Sequence, residues 1–391
     1  VTTDTRTSRS PVRAWLGVAA ITASLFVFVT TELMPIGLLT PIGAGLSVSV
    51  GAAAMMVTLY GISAGVGVPF IVAWTRRVDR HALLAGLLVI LAVGHLITAL
   101  SPNFAVLLAV RLLMGFAHGV FWAIGVSMAM RLVPEDKAPR AAAVVLAGMS
   151  IATVVGMPLG TLIEGLTSWR STFLIWSALS VAVFVAVLAL VPSLPSSSAV
   201  PVREVFRLPV ANRGLRAVMF TVTLYVLGHF GAYTFIRPFM EQHAAASAAW
   251  VTGLLIVFGV GGAIGNFVAE RTVDTNLRAT FVVACSGLVA SLVLLLAAGH
   301  TLAGLTVSIV LWGISFGAAN LCQVNMMLAA APDTFEAAMS LNTMAYNIAI
   351  AVGALLGGLA ADGFGIPGAV WFGIALTGVA LLSAGTARSR G

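Results

Sequence analysis

An all-α membrane protein is the fold class this sequence predicts: twelve transmembrane helices in two six-helix pseudo-repeat bundles, both termini on the cytoplasmic side. Three observations predict it. Of the 391 residues, 60% are hydrophobic and only 8% charged, with a mean hydropathy of +1.07; a water-soluble chain carries about 25% charged residues. Apolar runs of bilayer-crossing length recur along the chain with short gaps between them. The basic residues collect in alternate gaps. A soluble enzyme, a secreted disulfide scaffold and a disordered tail protein are excluded.

A spanning helix needs about 20 mostly apolar residues. The polar, Arg-containing stretch to Pro11 gives way to an apolar run from Ala14 past Thr30 with no small-residue cleavage site. It reads as a first span rather than a removed signal peptide. Runs bounded by charge, Pro or Gly place the first six spans near 14–36, 52–73, 82–100, 104–131, 138–163 and 170–191. A Pro/Ser stretch from Pro192 to Pro209 then interrupts the pattern. Residues 1–192 read as an N-terminal bundle, 193–212 as a cytoplasmic linker and 213–391 as a C-terminal bundle. The last six spans fall near 214–238, 250–270, 277–298, 302–330, 336–361 and 367–386. Loops this short leave no room for a soluble domain.

Charge fixes the orientation. With the N-terminus inside, inner segments hold Arg6, Arg9, Arg13, Arg76, Arg77, Arg80, Arg131, Lys137, Arg140, Arg203, Arg207, Arg213, Arg216, Arg271, Arg278, Arg388 and Arg390, which is 17 of the 20 basic residues. Only Arg111, Arg170 and Arg237 fall elsewhere. This is the positive-inside asymmetry, and it requires an even number of spans with cytoplasmic ends in the inner (plasma) membrane. The net charge of +7 forms no dense basic stripe, so nucleic acid is not an expected partner. Cys285 and Cys322 sit in apolar segments and read as buried, reduced thiols.

The two halves echo each other. Gly115-x3-Gly119 recurs as Gly313-x3-Gly317, and Gly156-x3-Gly160 as Gly353-x3-Gly357, at offsets of 198 and 197. Two such matches in order at nearly one offset indicate a duplicated bundle.

Local motifs add a family. Thr31-Glu32-Leu33-Met34-Pro35-Ile36-Gly37-Leu38-Leu39 resembles a first-helix signature of the drug:proton antiporter branch of the major facilitator superfamily. The run from Arg111 through Gly115, His118, Gly119 and Trp122 to Ile124 is similar to the fourth-helix motif of its sugar-efflux and chloramphenicol-resistance transporters. Gly156-Met157-Pro158-Leu159-Gly160, followed by Trp169, Arg170 and Phe173, resembles the fifth-helix antiporter motif. Gly228, His229, Phe230, Tyr233 and Thr234 in the seventh span, with Asn342 and Asn347 in the eleventh, fit the same subgroup. The resemblance implies that superfamily's fold, proton-driven export, and cargo of the sugar or phenicol-antibiotic kind. The family's loop between spans two and three usually reads Gly-x3-Asp-Arg-x-Gly-Arg-Arg and is implicated in latching the outward-facing state. Here Arg76, Arg77 and Arg80 keep the basic character, while the glycine and the usual acid are displaced and Asp79 stands nearby.

An ionisable group inside a span costs at least about 2.5 kcal/mol at mid-membrane, which makes each one a functional candidate. Glu32 sits roughly 27 Å along a helix that starts inside, and Arg111 roughly 10 Å down one that starts outside. Both therefore fall in the outer half of the bilayer. A direct or water-bridged Glu32–Arg111 pair would offset their desolvation. It reads either as the proton-coupling pair or as a static tie between two helices. Arg111, Gly115, His118 and Trp122 recur 4, 3 and 4 apart and share a face. That face suits a wet cavity wall, with helix packing the competing reading. Tyr225, His229 and Tyr233 share a face of the seventh span and read as cavity-lining or, for His229, as a hydrogen-bonded structural group. Asn320, Gln323, Asn342 and Tyr346, with Asn325 and Asn347 beside them, can contact a hydroxylated cargo or hold helices together.

Gly148, Gly156, Pro158 and Gly160 read as a bend and close-packing strip useful to a rocking bundle, or as a packing kink alone. Glu164 reads as a solvated end residue or a second proton site. Met34, Met114, Met326 and Met344 offer an adaptable apolar wall or filler. No phosphate-binding loop, metal motif or nucleophile elbow occurs, so neither ATP-driven transport nor an enzyme is expected. The sequence therefore predicts a monomeric, cofactor-free exporter that exchanges protons for a small polar-amphipathic molecule across the lipid bilayer. Proton-coupled uptake and a non-transporting receptor are the rival readings.

Overall fold

The computed structural model describes residues 11–74, 78–195, 208 and 212–386, and every regular element among them is helical. Arg76 and Arg77 lie outside the described residues, as does most of the 193–212 linker. Eleven helical rods follow one another: α1 (Pro11–Leu46), α2 (Met55–Trp74), α3 (Arg80–Leu100), α4 (Phe104–Met130), α5 (Glu135–Leu166), α6 (Trp169–Leu190), α7 (Arg213–His243), α8 (Ala248–Ala298), α9 (Leu302–Ala330), α10 (Phe335–Phe364) and α11 (Ile366–Thr386). Ten stretches are long and apolar enough to cross a bilayer, and a shorter apolar stretch, Val50–Val66, begins just before α2 and overlaps its first part. Short polar caps start many of the rods. Asp79, Asn103, Ser168, Asn212, Ser247 and Thr301 each accept a backbone N–H in the first turn of α3, α4, α6, α7, α8 and α9, which satisfies donors the helix itself leaves open. Gly365, at φ +78°, separates α10 from α11, a left-handed conformation that suits glycine.

The surface shows which solvent the rods meet. Phe364, Val283 and Leu382 are 84%, 72% and 69% exposed, while Arg111 is fully buried. Large apolar groups outside and charge inside are the arrangement of a chain solvated by lipid. This is a multi-pass membrane protein.

Two of the expected gaps came out differently. Between the expected spans at 250–270 and 277–298 there is no loop: two helices within Ala248–Ala298 meet at a kink at Asn276 (φ −156°, ψ 79°). The Asn276 side chain accepts from Ala279 N at 2.9 Å, so helix restarts at once and no loop forms. α1 runs ten residues past its expected end, to Leu46, through a tighter turn at Met34–Leu38. Pro35 enforces that turn by removing a donor. In α5 a wide, π-type turn at Ala152–Gly156 precedes Pro158.

Glycines set the closest helix pairs. A Cβ at Gly115 would collide with the carbonyl of Tyr60 in α2, and one at Gly313 with that of Phe258 in α8. Gly156 likewise abuts Thr30 in α1, and Gly353 abuts the carbonyl of Leu227 in α7. Gly148 and Gly160 bring α5 onto α1 at Thr22 and Met34. The α5 strip is a packing surface.

Candidate functional site

Pro35 explains where Arg111 goes. In an α-helix the carbonyl of residue 31 accepts from the N–H of residue 35, and proline has none. Arg111 Nη1 supplies the missing donor, reaching Thr31 O at 2.8 Å, and Nε donates to Met56 O at 3.2 Å. The guanidinium also lies over the Tyr60 ring, 4.2 Å from its centroid. Arg111 thus ties α4 to α1 and α2. Its Nη2 has no partner.

Of the two expected forms of a Glu32–Arg111 pair, direct or water-bridged, the direct one does not form among the described residues. The guanidinium instead spends Nη1 and Nε on the Thr31 and Met56 carbonyls. Glu32 remains within electrostatic reach of Arg111, but its contact is His118, whose Nε2 lies 3.4 Å from Glu32 Oε2. Trp122 Nε1 donates to that same Nε2 at 2.8 Å. The His118 ring also meets Tyr60 and Phe28 edge-on, at 5.3 and 6.0 Å between centroids. Arg111, Gly115 and His118 are buried and Trp122 half-buried. The shared face is therefore packed against α1 and α2, and only its Trp122 end and the 12%-exposed Glu32 border open space.

His95 went unnoticed in the sequence because a lone mid-span histidine carries no spacing signal. The Thr31 hydroxyl donates to Val27 O at 2.7 Å, so it accepts from His95 Nε2 at 3.1 Å. Ser180 Oγ stands 3.4 Å from Nδ1. α3 and α6 thereby brace the turn of α1 that holds Glu32.

The second half holds a ring cluster. Trp312 Nε1 donates to His229 Nδ1 at 3.0 Å, which leaves the ring proton on Nε2, where it has no partner. His229 stacks on Phe316 with centroids 3.7 Å apart and planes 9° off parallel, and on Tyr233 at 5.1 Å. Tyr225 is buried with its hydroxyl unpartnered, and Tyr346 packs edge-on against Phe230 at 6.1 Å. Tyr225, His229 and Tyr233 are thus interior groups, and Tyr346 is half-buried within electrostatic reach of Glu32. The amides bond largely along their own helices. Gln323 Nε2 donates to Asn320 Oδ1 at 2.7 Å, Asn325 to Leu321 O and Asn347 to Thr343 O. Asn342 is buried.

Two further clusters join the halves at the end of the bundle opposite Pro11. Arg237 Nη1 donates to Gly37 O at 2.6 Å and to Glu164 Oε2 at 2.8 Å, and Nε donates to Glu241 Oε1 at 2.6 Å. Glu164 is therefore an ion-paired residue and not a free, solvated one. Asp362 accepts from Ser49 Oγ at 2.7 Å and Gly51 N at 3.1 Å. The clue in the sequence was that Arg237 stood apart from the positive-inside pattern. Glu241, four residues on, was within reach of a sequence reading, whereas Glu164, 73 positions away, was not. Asp79 serves α3 locally, accepting from His81 N at 2.9 Å and Ser193 Oγ at 2.7 Å. Burial pushes its carboxyl up, but hydrogen bonds from Ser193 and the Ala82, His81 and Leu194 amides outweigh that and hold it below its usual value. Arg80 is buried beside it, with its N–H on Leu194 O. Cys285 and Cys322 are buried and not bonded to each other.

Lipid-facing rods with ionisable groups held between them define the class: a multi-pass membrane protein. Residues 16–337 match the Major Facilitator Superfamily, and the chain belongs to that family. Its fold is similar to that of a bacterial homolog of the human lysosomal transporter Spinster in an inward-facing, unoccupied conformation (TM-score 0.72, 15% identity, 97% of this chain and 98% of that one). It is also similar to the nucleoside transporter NupG (0.76, 14%, 94% and 98%) and to the human organic anion transporter MFSD10 (0.68, 16%, 96% and 100%). At such identities the likeness is one of fold.

Proposed function

We propose that this chain is a proton-coupled exporter of the drug:proton antiporter branch, in the subgroup of sugar-efflux and chloramphenicol-resistance transporters. It moves small polar-amphipathic molecules such as sugars or phenicol antibiotics outward as protons enter. In this reading Ala248–Ala298 bends at Asn276 into two spans, since about 75 Å of straight helix far exceeds a hydrocarbon core of about 30 Å. That gives twelve spans in two six-helix bundles, with cytoplasmic termini in the plasma membrane. The transporter works as a monomer without a cofactor. Arg237 and Asp362 join the bundles on the outer side, as an inward-open state requires.

One observation carries the reading: Glu32 is an almost buried acid, 3.4 Å from His118 and in electrostatic reach of Arg111 and Tyr346. Its charge can thus bias one arrangement of the bundles over another, and only such a differential interaction couples a proton to a conformation. Cargo would meet Trp122 from one side and Tyr346 and Asn320 from the other.

Glu32→Gln in proteoliposomes tests this. Under an imposed pH gradient, chloramphenicol export should fall to the level of empty liposomes while gradient-free exchange persists. Gradient-driven export at the wild-type rate, or cargo moving in the same direction as protons, would overturn the assignment.

A further inference from the structure

One nitrogen in the first-half site has two claimants. Trp122 Nε1–H donates to His118 Nε2 at 2.8 Å, and Glu32 Oε2 stands 3.4 Å from the same atom. An imidazole nitrogen presents either a lone pair or an N–H, never both. If Nε2 holds a lone pair, Trp122 is satisfied, and an ionised Glu32 would set lone pair against lone pair. The observed contacts therefore belong to a protonated Glu32. If Nε2 holds a proton, it donates to Glu32 and the indole loses its acceptor. Trp122 is half-buried, so part of its side chain stays reachable from outside the packed face.

We propose that His118 is a positioning residue that makes a proton on Glu32 and a cargo oxygen on Trp122 mutually exclusive. On cargo loading the Glu32 O–H bond breaks and a His118 Nε2–H bond forms. The proton on Nδ1, which is buried beside the Phe28 carbonyl, leaves to a water molecule that enters with the cargo. The imidazole ends neutral in its other tautomer, Glu32 ends ionised and accepts from Nε2–H, and one proton has been released. The Trp122 N–H, freed from Nε2, donates to an acceptor oxygen of the cargo. Reprotonation of Glu32 reverses each step and withdraws the indole. The other charged or titratable groups facing this centre are Arg111 on the same helix, Tyr60 on α2 and Tyr346 on α10, with His95 behind Thr31. The transport consequence rests on the antiport reading above; the switch itself does not.

The test is nitrogen-15 NMR of histidine-labelled full-length protein in nanodiscs, with the His118 signal identified by its loss in His118→Asn. The wild type should pass from the Nδ1–H to the Nε2–H tautomer as pH rises, and Glu32→Gln should stay Nδ1–H throughout. An unchanged tautomer in the wild type, or the same change in Glu32→Gln, would overturn the switch. In a second arm, Trp122→Phe should weaken chloramphenicol binding about tenfold at high pH, as expected for one hydrogen bond, and leave it unchanged at low pH. Equal weakening at both ends of the range would overturn the indole's part. If the wild type does not bind chloramphenicol at all, the cargo assignment fails while the tautomer measurement still decides the switch.

Discussion

The two ends of one sequence offset hold opposite chemistries. Adding 198 to Tyr60 and Gly115 gives Phe258 and Gly313, and both pairs are glycine-to-carbonyl contacts. Adding 197 to Thr30 and Gly156 gives Leu227 and Gly353, again a contacting pair in each half. By the same offsets Glu32 corresponds to His229, His118 to Phe316 and Arg111 to Ile309. The 3.4 Å Glu32–His118 contact is thus matched by the 3.7 Å His229–Phe316 stack. One backbone geometry carries an acid, a base and a cation in the first half, and rings and an aliphatic side chain in the second. Duplicated packing does not require duplicated chemistry. Because a buried charge costs far more than a buried ring, carrying the acid and the guanidinium at only one of each pair of corresponding positions spares the second half that cost at this level of the bundle.

The largest effect that would sharpen this contrast is at Arg111. Arg111→Ala leaves Thr31 O without a donor and should cost about 3 kcal/mol of stability, read as thermal unfolding in detergent. Pairing it with Pro35→Ala restores an N–H for that carbonyl and should recover about 1 kcal/mol relative to the sum of the single variants. Strict additivity would mean that Arg111 does not stand in for the missing donor. A smaller effect tests the shared geometry. Gly115→Ala and Gly313→Ala each press a methyl against a carbonyl of the neighbouring helix and should each cost about 1–3 kcal/mol. A large cost in one half and none in the other would break the correspondence. The smallest expected effect concerns the ring wall: Phe316→Leu should remove about 1 kcal/mol of stacking on His229, without altering the pH dependence of transport. A shifted pH profile would show that the second half shares in titration.

Much of the scaffold was legible before any coordinates. Apolar runs placed most rods to within a few residues because a helix in lipid must satisfy its own backbone over a fixed thickness. The break at Asn276 falls inside the expected gap between 270 and 277, but the sequence did not show that a single capping side chain would stand there in place of a loop. At the site, the sequence picked out Glu32, Arg111, His118 and Trp122 as unusual within spans, and spacing placed the last three on one face. It could not tell which of them touch.

What the sequence by itself determined is therefore the kind of solvent this chain needs, its helical make-up, and which few side chains are costly to bury. Those follow from composition and period, which are local quantities. Only the tertiary structure decided that Pro35 hands the Thr31 carbonyl to Arg111, that Glu32 meets His118 instead, and that Arg237 clasps Glu164. Each partnership joins groups 73 to 80 or more positions apart, and such pairings are chosen by competition among unsatisfied donors and acceptors once the helices have packed.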